Sequence, residues 1–449
     1  MRRAIAALLV CAGTVAQAGG LVVSGGSPRT IGRAGAGVIG DDGAGALVYN
    51  PAAMARRDGS RGQLGMTFID DELSWDSDDV RAPTARSQSP SSVAPYGAAI
   101  ASVDGWVIAA GAMTTSVSER AMRPPGELPP GKLDGKFDFR YAGIASAVRR
   151  DTVTIGVARR LGDQLAAGLA VGASRFTLGE VRRMWAGFDG RDRIGDDNFD
   201  LEMAMNGVDA FVPNVVGGIL FAPEGSRLEI GASLAWSGRA NIEADVEGVG
   251  TRPKGPSLIL ESPYATLEVR QPVTARLGVR YLGERLVVEL DGEYSSVSPA
   301  AASATWRVHG ARVRDPTSAQ AELIAMPSRV SMRTHGAVRA GLDFELIPGF
   351  LWATAGYAYA LGSVSGSRQS PTFADLGGHT FAVGLEGSAG GFTFTFGWAR
   401  TWSSNHRDRS VLELDNPYAA GSAIVPTGTY DGSADQIGIM LDFELAAPK

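Results

Sequence analysis

Apolar and polar residues alternate with a period of two over much of this chain. In residues 391–403 and 433–445, large apolar side chains occupy every second position, and Thr, Gly, Asp or Glu fill many of the positions between them. A period of two places successive side chains on opposite faces of a β-strand. The pattern therefore predicts a protein built from amphipathic strands.

Two architectures share this alternation. A soluble β-sandwich buries its apolar faces, whereas an outer-membrane β-barrel turns them toward lipid. Many alternating runs here last roughly 10–14 residues, longer than usual soluble strands and long enough to cross a bilayer at a tilt. The opposite face carries small or polar residues, as a narrow or wet lumen requires. We therefore predict an all-β fold, a transmembrane antiparallel β-barrel; a string of soluble β-domains is the alternative.

The alternation predicts about 14 strands, an even number as in most bacterial barrels. The predicted strands cover residues 61–70, 94–103, 106–115, 139–161, 164–178, 205–222, 226–238, 263–282, 285–297, 333–346, 350–362, 377–388, 391–403 and 433–445. Residues 139–161 are taken as one strand because two would make the number odd. Tight turns alternate with long polar stretches, which we predict to be loops at 116–137, 179–204, 239–262, 298–332, 363–376 and 403–432.

Composition excludes several other classes of protein. Glycine accounts for 59 of 449 residues, about twice the usual share of roughly 7%. This density disfavours a helical bundle. The 42 Lys and Arg against 48 Asp and Glu give a formal net charge of −6, which argues against nucleic acid as a partner. With 44% hydrophobic residues, the chain is also unlike a disordered one.

The N-terminus has the three parts of a secretory signal peptide. A basic start, Met1-Arg2-Arg3, precedes an apolar run at 4–16 and the small-residue cleavage motif Ala16-Gln17-Ala18. We predict that residues 1–18 are removed. The single cysteine, Cys11, lies in the apolar run, so a lipoprotein signal is the alternative; the residues before Cys11 lack the small side chain that such a signal needs. Loss of Cys11 leaves an exported chain without disulfides.

The last predicted strand carries an assembly signal. In residues 436–443, polar, glycine, apolar and aromatic residues recur at two-residue steps and end on Phe443. This pattern resembles the terminal-strand signal that the barrel-assembly machinery recognises. The usual signal ends on the aromatic residue, whereas here residues 444–449 follow. We expect that machinery to be a partner during biogenesis.

Between residues 19 and 57 the alternation fails and small residues dominate. Such a compact segment can fold into a barrel lumen as a plug. The stretch resembles the N-terminal hatch of the FadL family of outer-membrane long-chain fatty acid transporters, which includes importers of aromatic hydrocarbons. The resemblance rests on the GRAGAG run at 32–37, the small-residue helix before Tyr49, and Asn50-Pro51-Ala52. Residues 271–279, 288–294 and 379–385 are similar to strands of the same family.

The resemblance implies a fold and a transport mechanism. The family is a 14-stranded barrel plugged by a hatch, and it moves hydrophobic molecules by diffusion without an energy-coupling protein. Its ligands pass from an outer groove to a buried apolar pocket and leave laterally through a gap in the wall. An apolar solute gains about 0.8 kcal/mol per CH₂ on leaving water, and a path from pocket to bilayer never returns it there.

We therefore expect a channel in the outer membrane of a Gram-negative bacterium. Its function would be the passive, laterally routed uptake of long-chain fatty acids or aromatic hydrocarbons. The expected domains are a signal peptide at 1–18, a hatch at 19–58 and a barrel at 59–449. The expected partners are hydrophobic small molecules and outer-membrane lipid, and we expect a monomer.

The candidate residues of the substrate pathway lie in the expected hatch. Pro51 has no backbone N–H and biases Asn50 away from the helical region, so the chain must turn here. A packed turn before the first strand is the alternative role for Asn50, Pro51 and Ala52. The candidates are Leu47, Val48, Tyr49, Asn50, Pro51 and Ala52.

We predict that the protein is not an enzyme and has no catalytic residues, metal site or cofactor. The histidines, His309, His335, His379 and His406, show no metal-ligand spacing. The acidic cluster at 189–200 lacks the spacing of an EF-hand and predicts a solvated loop rather than a Ca²⁺ site. Residues 35–40 match G-x-G-x-x-G, but no βαβ unit surrounds them.

Three other functions stay open at this stage. A general porin would need an open lumen, against which the plug argues. An outer-membrane hydrolase would need a Ser/His or Asp/His pair that meets in space, although no G-x-S-x-G motif is present. An adhesin or scaffold would concentrate its role in long loops such as 298–332.

Overall fold

The computed structural model describes most of the chain. The described residues are 26–57, 59–78, 84–87, 91–123, 140–188, 196–299, 302–364, 370, 372–373, 375–407, 410–413, 416–418, 422–425 and 428–445. The signal peptide predicted at 1–18, and residues 19–25 and 58 of the expected hatch, lie outside them. Within the described part of the chain, no helix has the length and apolarity needed to cross a membrane.

The structure is built almost entirely from antiparallel strands. In chain order they are β1 (Ser60–Ser77), β2 (Ala85–Ser87), β3 (Ser92–Val103), β4 (Trp106–Arg123), β5 (Ala145–Leu161), β6 (Leu165–Trp185), β7 (Asp200–Phe221), β8 (Leu228–Ser237), β9 (Ala240–Gly250), β10 (Ser257–Val269), β11 (Val273–Leu282), β12 (Leu286–Ser296), β13 (Ser303–Arg314), β14 (Gln320–Glu322), β15 (Ala325–Ser331), β16 (His335–Ile347), β17 (Leu351–Leu361), β18 (Gly377–Ala389), β19 (Phe392–Arg407), β20 (Ser410–Glu413), β21 (Ser422–Val425) and β22 (Gly428–Leu445).

Fourteen of these strands form a closed ring. The order is β1, β3, β4, β5, β6, β7, β8, β11, β12, β16, β17, β18, β19 and β22, and β22 pairs again with β1 from Ser60↔Leu445 to Ser77↔Gly428. Each ring strand corresponds to one of the 14 strands predicted from alternation. The predicted all-β barrel is therefore confirmed.

The outer wall of the ring is apolar. Outward side chains such as Val153 and Ile155 of β5 are 61% and 58% exposed, and the residues between them on the same strand are buried. A soluble β-domain would bury side chains of this kind, whereas a membrane barrel presents them to lipid. The surface thus fits a barrel that lies in a bilayer.

Three predicted loops and one predicted strand were wrong. The stretch 403–432 contains the antiparallel pair β20 and β21. The stretches 239–262 and 298–332 contain β9, part of β10, and β13–β15, which extend the sheet from β7 beyond the ring. Charged residues on one face of β9, such as Glu243 and Glu247, made this part of the chain resemble a loop. The predicted strand 263–282 is two strands, β10 and β11, because Pro272 between them lacks the N–H that a ladder needs.

The extended sheet has its own apolar core, which includes Met203, Ile242, Leu267 and Trp306. Asp200 also lies in this region. Predicted to be part of a solvated acidic loop, it is instead fully buried and paired with Arg140 at 2.6 Å between Arg140 Nε and Asp200 Oδ2. Asp189 and Asp192 of the same cluster lie outside the described residues.

The N-terminal residues 26–57, which we name the inner segment, lie inside the ring. It forms three short 3₁₀ helices, Pro28–Arg33, Ala44–Leu47 and Pro51–Arg56, and its apolar side chains are mostly buried, with Ile31, Ile39, Leu47 and Met54 fully so. They contact strands on opposite sides of the ring. The segment therefore fills the lumen rather than leaving it open.

Glycine makes this close packing possible. Most ring strands present one glycine to the inner segment, at a position where a Cβ would press against inner-segment atoms. We name these glycines the glycine collar: Gly65, Gly111, Gly156, Gly168, Gly218, Gly231, Gly278, Gly341, Gly356, Gly384, Gly397 and Gly438. The high glycine content of the sequence thus has a structural use at the wall, where backbone packs against backbone.

Ion pairs fasten the inner segment to the wall. Asp42 accepts hydrogen bonds from Arg29 and Arg56, at 2.9 and 3.0 Å, and lies 2.8 Å from Arg57 Nε. In turn, Arg29 pairs with Glu386 of β18 and Arg33 with Asp343 of β16, each at 2.6 Å. Arg56 pairs with Glu229 of β8 at 3.1 Å. Because these pairs are mostly buried, breaking one partner leaves an uncompensated charge.

The neighbouring carboxylates Asp41 and Asp42 have opposite environments. Burial raises the pKa of Asp41 to about 6, and Arg29 only partly opposes this effect. Asp42 is also buried, but Arg57, Arg29 and Arg56 hold its pKa well below the usual range. A native carboxyl with a raised pKa loses stability as the pH rises from its unfolded to its folded pKa.

We expect a side chain at the glycine collar to displace the inner segment. A Cβ at Gly356 of β17 would overlap the carbonyl group of Arg33, so Gly356→Val should lower stability by about 1–3 kcal/mol and increase ion conductance in planar bilayers. Gly292→Val in β12 is the matched control, because nothing lies within 4 Å of a Cβ there. Equal stability and conductance for the two variants would contradict the close packing.

Replacing Asp41 and replacing Asp42 should change the stability of the protein in opposite directions. Asp41→Asn removes a carboxyl whose pKa rises from 3.8 to about 6, so it should stabilise the protein at pH 8 by up to about 3 kcal/mol and abolish the loss of stability between about pH 4 and 6. Asp42→Asn should destabilise it by about 3–5 kcal/mol at pH 8. Urea unfolding in detergent micelles from pH 4 to 8, followed by tryptophan fluorescence, measures both. Shifts of the same sign would contradict these environments.

Candidate functional site

A cavity of about 250 Å³ lies above the inner segment, inside the ring. Val48 and Tyr49 of the inner segment line it together with side chains of β4–β8, β11, β12 and β16. The apolar lining residues are Val48, Val148, Phe176, Val216, Ala235, Trp236 and Met332. The polar ones include Thr115, Ser116, Arg150, Thr152, Asn214, Ser237, Arg276, Ser295 and His335. Asp375, whose Oδ2 accepts from the Ser363 hydroxyl, also lines it. The exposed surface of the cavity is thus mostly apolar, but many polar side chains contribute to its wall.

The two arginines that line the cavity differ in their partners. Arg276 is neutralised by Glu293, at 2.8 Å, and its guanidinium lies 4.5 Å from the centre of the Tyr49 ring. Arg150 donates only to hydroxyls: its Nε to Ser174 Oγ at 3.0 Å and its Nη2 to Ser237 Oγ at 2.8 Å. Among the described residues, no carboxylate pairs with Arg150. Its positive charge therefore stays available to a ligand.

Beside the cavity the barrel wall has a gap. The β3–β4 ladder runs from Val103↔Trp106 to Tyr96↔Met113 and ends there within the described chain. Beyond this point, Ser92–Pro95 of β3 pair with β1, and β4 continues along β5. Two neighbouring strands thus separate in the half of the wall away from the 103–106 turn.

The cause of the gap is an extra residue in β4. Against β5, Thr114 pairs with Asp151 and Ser116 with Arg150, so Thr115 has no opposite partner. Such a β-bulge bends its strand. Farther along β4, the Arg120 guanidinium pairs with Asp71 of β1, at 2.7 Å between Nε and Oδ2, and bounds the gap on that side.

A groove of about 680 Å³ lies at the outer mouth of this gap. It is lined by residues of β3–β7, among them Pro95, Met113, Thr114 and Asp151, and Thr152 lines both this groove and the cavity. A cluster of hydroxyls separates the two spaces: Thr152 Oγ1 lies 3.2 Å from Thr115 Oγ1 and 2.9 Å from Ser174 Oγ. Among the described residues, the small polar side chains of Thr115, Thr152 and Ser174 therefore lie at the boundary between the cavity and the groove.

The sequence-derived candidates divide into two groups. Val48 and Tyr49 line the cavity; burial raises the pKa of Tyr49 to about 12, so its hydroxyl stays a donor, here to Gly35 O at 3.1 Å. Leu47 instead packs at the glycine collar. Val48 and Tyr49 are thus placed where a ligand could meet them.

Asn50, Pro51 and Ala52 form the turn that the sequence suggested. Asn50 caps the third 3₁₀ helix: its Oδ1 accepts from the Ala52 N–H at 3.3 Å, and its Nδ2 donates to Val38 O at 3.0 Å and to Ile219 O at 3.3 Å. Pro51 and Ala52 lie against the wall. These contacts hold the inner segment in place, and a part in the substrate pathway stays a prediction for all six candidates.

Sequence reasoning missed the residues around the gap and Arg150. One signal was present: the run Arg149-Arg150-Asp151 interrupts an otherwise apolar spanning strand. Charges inside a membrane segment point to function. Among the described residues, no three His, Cys, Asp or Glu side chains are grouped so that they could hold a metal ion. The expectation of no metal site, cofactor or catalytic group is still a prediction.

Comparisons with known proteins agree with this architecture. Residues 9–207 match the family described as outer membrane protein transport protein (OMPP1/FadL/TodX). No curated protein matches the chain. A solved FadL homologue of Pseudomonas aeruginosa is 14% identical, with a TM-score of 0.74 over 95% of this chain and 100% of that one.

Two further structures have the same fold. They are the toluene transporter TodX of P. putida, 14% identical with a TM-score of 0.62 over 95% of this chain and 100% of that one, and the toluene transporter TbuX of Ralstonia pickettii, 13% identical with a TM-score of 0.62 over 94% and 99%. At such identities the likeness shows the fold alone. The sequence match over residues 9–207 and the shared barrel together confirm the resemblance inferred from the sequence: this chain is similar to the FadL/TodX family of outer-membrane transport proteins.

Proposed function

We propose that this protein is a channel of the Gram-negative outer membrane that takes up hydrophobic molecules passively. The solute enters the cavity from outside and leaves laterally, through the gap between β3 and β4, into the bilayer. The observation that carries this proposal is the position of an apolar cavity directly beside the gap, above a lumen filled by the inner segment. The inner segment would act as the hatch expected at residues 19–58.

Two physical arguments favour a lateral exit over an axial one. An axial path must displace the inner segment, which the glycine collar and buried ion pairs such as Arg33–Asp343 hold in place. An axial path also returns the solute to water, at a cost of about 0.8 kcal/mol for each CH₂. A general porin is disfavoured for the same reason, since its lumen must be open.

Arg150 favours long-chain fatty acids over neutral aromatic hydrocarbons as substrates. A fatty acid would lay its tail against Val148, Phe176 and Val216 and place its carboxylate on the guanidinium, which already holds two hydroxyls. Hydrogen bonds between opposite charges are about twice as strong as neutral ones. Solved relatives are described as toluene transporters or monoaromatic hydrocarbon channels, so an aromatic substrate is the alternative outcome.

The remaining expectations are consistent with this proposal. Transport by diffusion requires no catalytic group, metal or cofactor. A signal peptide at 1–18 and a terminal-strand signal near Phe443 would direct export and insertion by the barrel-assembly machinery. A closed ring has no free edge strand and can stand alone as a monomer in lipid.

The lateral route predicts that straightening β4 blocks uptake. Deletion of Thr115 removes the bulge and lets the ladders flanking β4 continue. We expect oleate uptake by cells expressing this variant to fall about tenfold or more, since closing the route removes the exit rather than the binding site. Deletion of Leu346, the extra residue between Glu345↔Trp352 and Ile347↔Leu351, is the matched control and should leave uptake unchanged.

Two checks make this test decisive. The electrophoretic mobility of unboiled protein reports whether the Thr115 deletion still folds as a barrel, and oleate binding in detergent reports whether the cavity survives. A folded variant that binds oleate and takes it up at the normal rate would rule out the lateral exit.

The role of Arg150 predicts a change in selectivity. Arg150→Met should weaken oleate binding by roughly 10- to 100-fold, the range for losing a hydrogen bond to a charged group, and leave toluene binding unchanged. Arg150→Lys keeps the charge and should bind oleate nearly as the wild type does. Titration of the purified proteins with labelled oleate and labelled toluene measures both. Wild-type binding of toluene but not oleate would instead identify an aromatic hydrocarbon channel.

A further inference from the structure

The outward face of β5 changes character at the gap. Val153, Ile155 and Val157 are apolar and exposed, whereas Asp151 and Arg149, next on the same face, form an ion pair at 2.9 Å between Arg149 Nε and Asp151 Oδ2. Both side chains lie in the groove at the outer mouth of the gap. A charged pair at this level of a spanning strand calls for a reason beyond lipid contact.

The contacts of Arg149 cross the gap. Its Nη1 donates to the backbone oxygen of Val93 in β3 at 3.3 Å, and its Nη2 donates to Thr114 Oγ1 of β4 at 3.0 Å. Val93 lies in the part of β3 that has no ladder with β4. One side chain of β5 thus reaches past β4 and connects three strands where the wall is otherwise interrupted.

The guanidinium is itself held in this position. Asp151 accepts from Arg149 Nε through both carboxylate oxygens, at 3.1 and 2.9 Å, and from the Thr114 hydroxyl at 2.6 Å. Three of the four groups in this cluster belong to β4 and β5, and the Val93 oxygen belongs to β3. Within this cluster, the Arg149–Val93 bond is the contact that crosses the gap; farther along β4, Arg120 Nε also pairs across it with Asp71 of β1 at 2.7 Å.

We propose that Arg149 is a latch that closes the outer mouth of the gap and sets the rate at which a solute passes between cavity and bilayer. The proposal rests on the lateral route proposed above. The Arg149–Val93 bond, at 3.3 Å, is longer than the bonds from Arg149 to Asp151 and Thr114, at 2.9 and 3.0 Å, so it is the weakest of the three and opens first. Asp151 and Thr114 keep the guanidinium beside the gap while it is open, and the latch closes again once the solute has passed.

The test measures access to the cavity from the lipid side and needs no transport. In a Cys11→Ser background, which removes the single cysteine of the chain, Ser116→Cys places one thiol on the cavity wall beside the bulge. The protein is reconstituted in phospholipid vesicles that contain an apolar fluorescent maleimide. Excess glutathione in the aqueous phase quenches any reagent that leaves the bilayer.

Arg149→Met should raise the labelling rate on the order of tenfold, as expected for losing hydrogen bonds to a charged group, and Arg149→Lys should raise it less. Asp151→Asn removes the carboxylate that positions the Arg149 guanidinium and should also raise the labelling rate. It serves as a second variant. Arg159→Met is the matched control on the same face of β5, where Arg159 lies over the Trp106 ring far along the strand. It should label at the rate of the parent protein.

Equal labelling of the Arg149→Met, Asp151→Asn and control proteins would overturn the latch. The Thr115 deletion, made in the same Ser116→Cys protein, should label more slowly than the parent. Labelling of Arg149→Met as slow as that of the deletion would also overturn the latch, because the backbone alone would then close the gap. If Arg149→Met accelerates labelling but the wild-type protein takes up neither oleate nor toluene, the latch stands and the proposed transport function falls. The two hypotheses therefore fail separately.

Discussion

The backbone of the inner segment lies against the barrel wall at separations that leave no room for a Cβ. This close approach holds the segment in the lumen, because the collar glycines surround it and a network of buried ion pairs centred on Asp42 attaches it to the wall. Among the described residues, the inner segment occupies the lumen, which disfavours an axial path. A lateral exit, as proposed above, would then depend on interruptions in the wall.

The decisive defect is one residue long. Thr115 has no partner in β5, β4 bends at that point, and the ladder to β3 stops at Tyr96↔Met113. A bulge usually costs some ladder hydrogen bonds and is retained where it redirects a strand. Here it lies where the β3–β4 ladder ends, beside the cavity, so Thr115 both lines the proposed binding space and lies at the proposed exit.

How far the sequence predicts this structure follows from what periodicity encodes. A strand with lipid on one face and a packed lumen on the other must alternate, which is why all ring strands from β1 to β22 were predicted. The extended sheet of β9, β10 and β13 has charged residues such as Glu243 on its exposed face. This pattern is also typical of a loop, which is why most of this sheet was predicted as loops. Alternation does not reveal where a bulge occurs or which strands pair. The gap between β3 and β4 and the bulge at Thr115 therefore could not be predicted from the sequence. The resemblance made Val48 and Tyr49 candidates for the substrate pathway, and the fold shows that they line the cavity.

The consecutive residues Arg149 and Arg150 lie on opposite sides of the wall beside the gap and have different partners. Alternation sends one guanidinium to the outer groove and the other into the cavity, so β5 carries positive charge on both sides of the wall at the level of the gap. The outer one has a carboxylate partner in Asp151, whereas among the described residues the side-chain partners of the inner one are Ser174 and Ser237. An unpaired buried charge is costly and a paired one is not. A bound carboxylate would therefore stabilise the buried charge of Arg150. Arg149 already has Asp151 as its counter-ion and donates to the Val93 oxygen of β3.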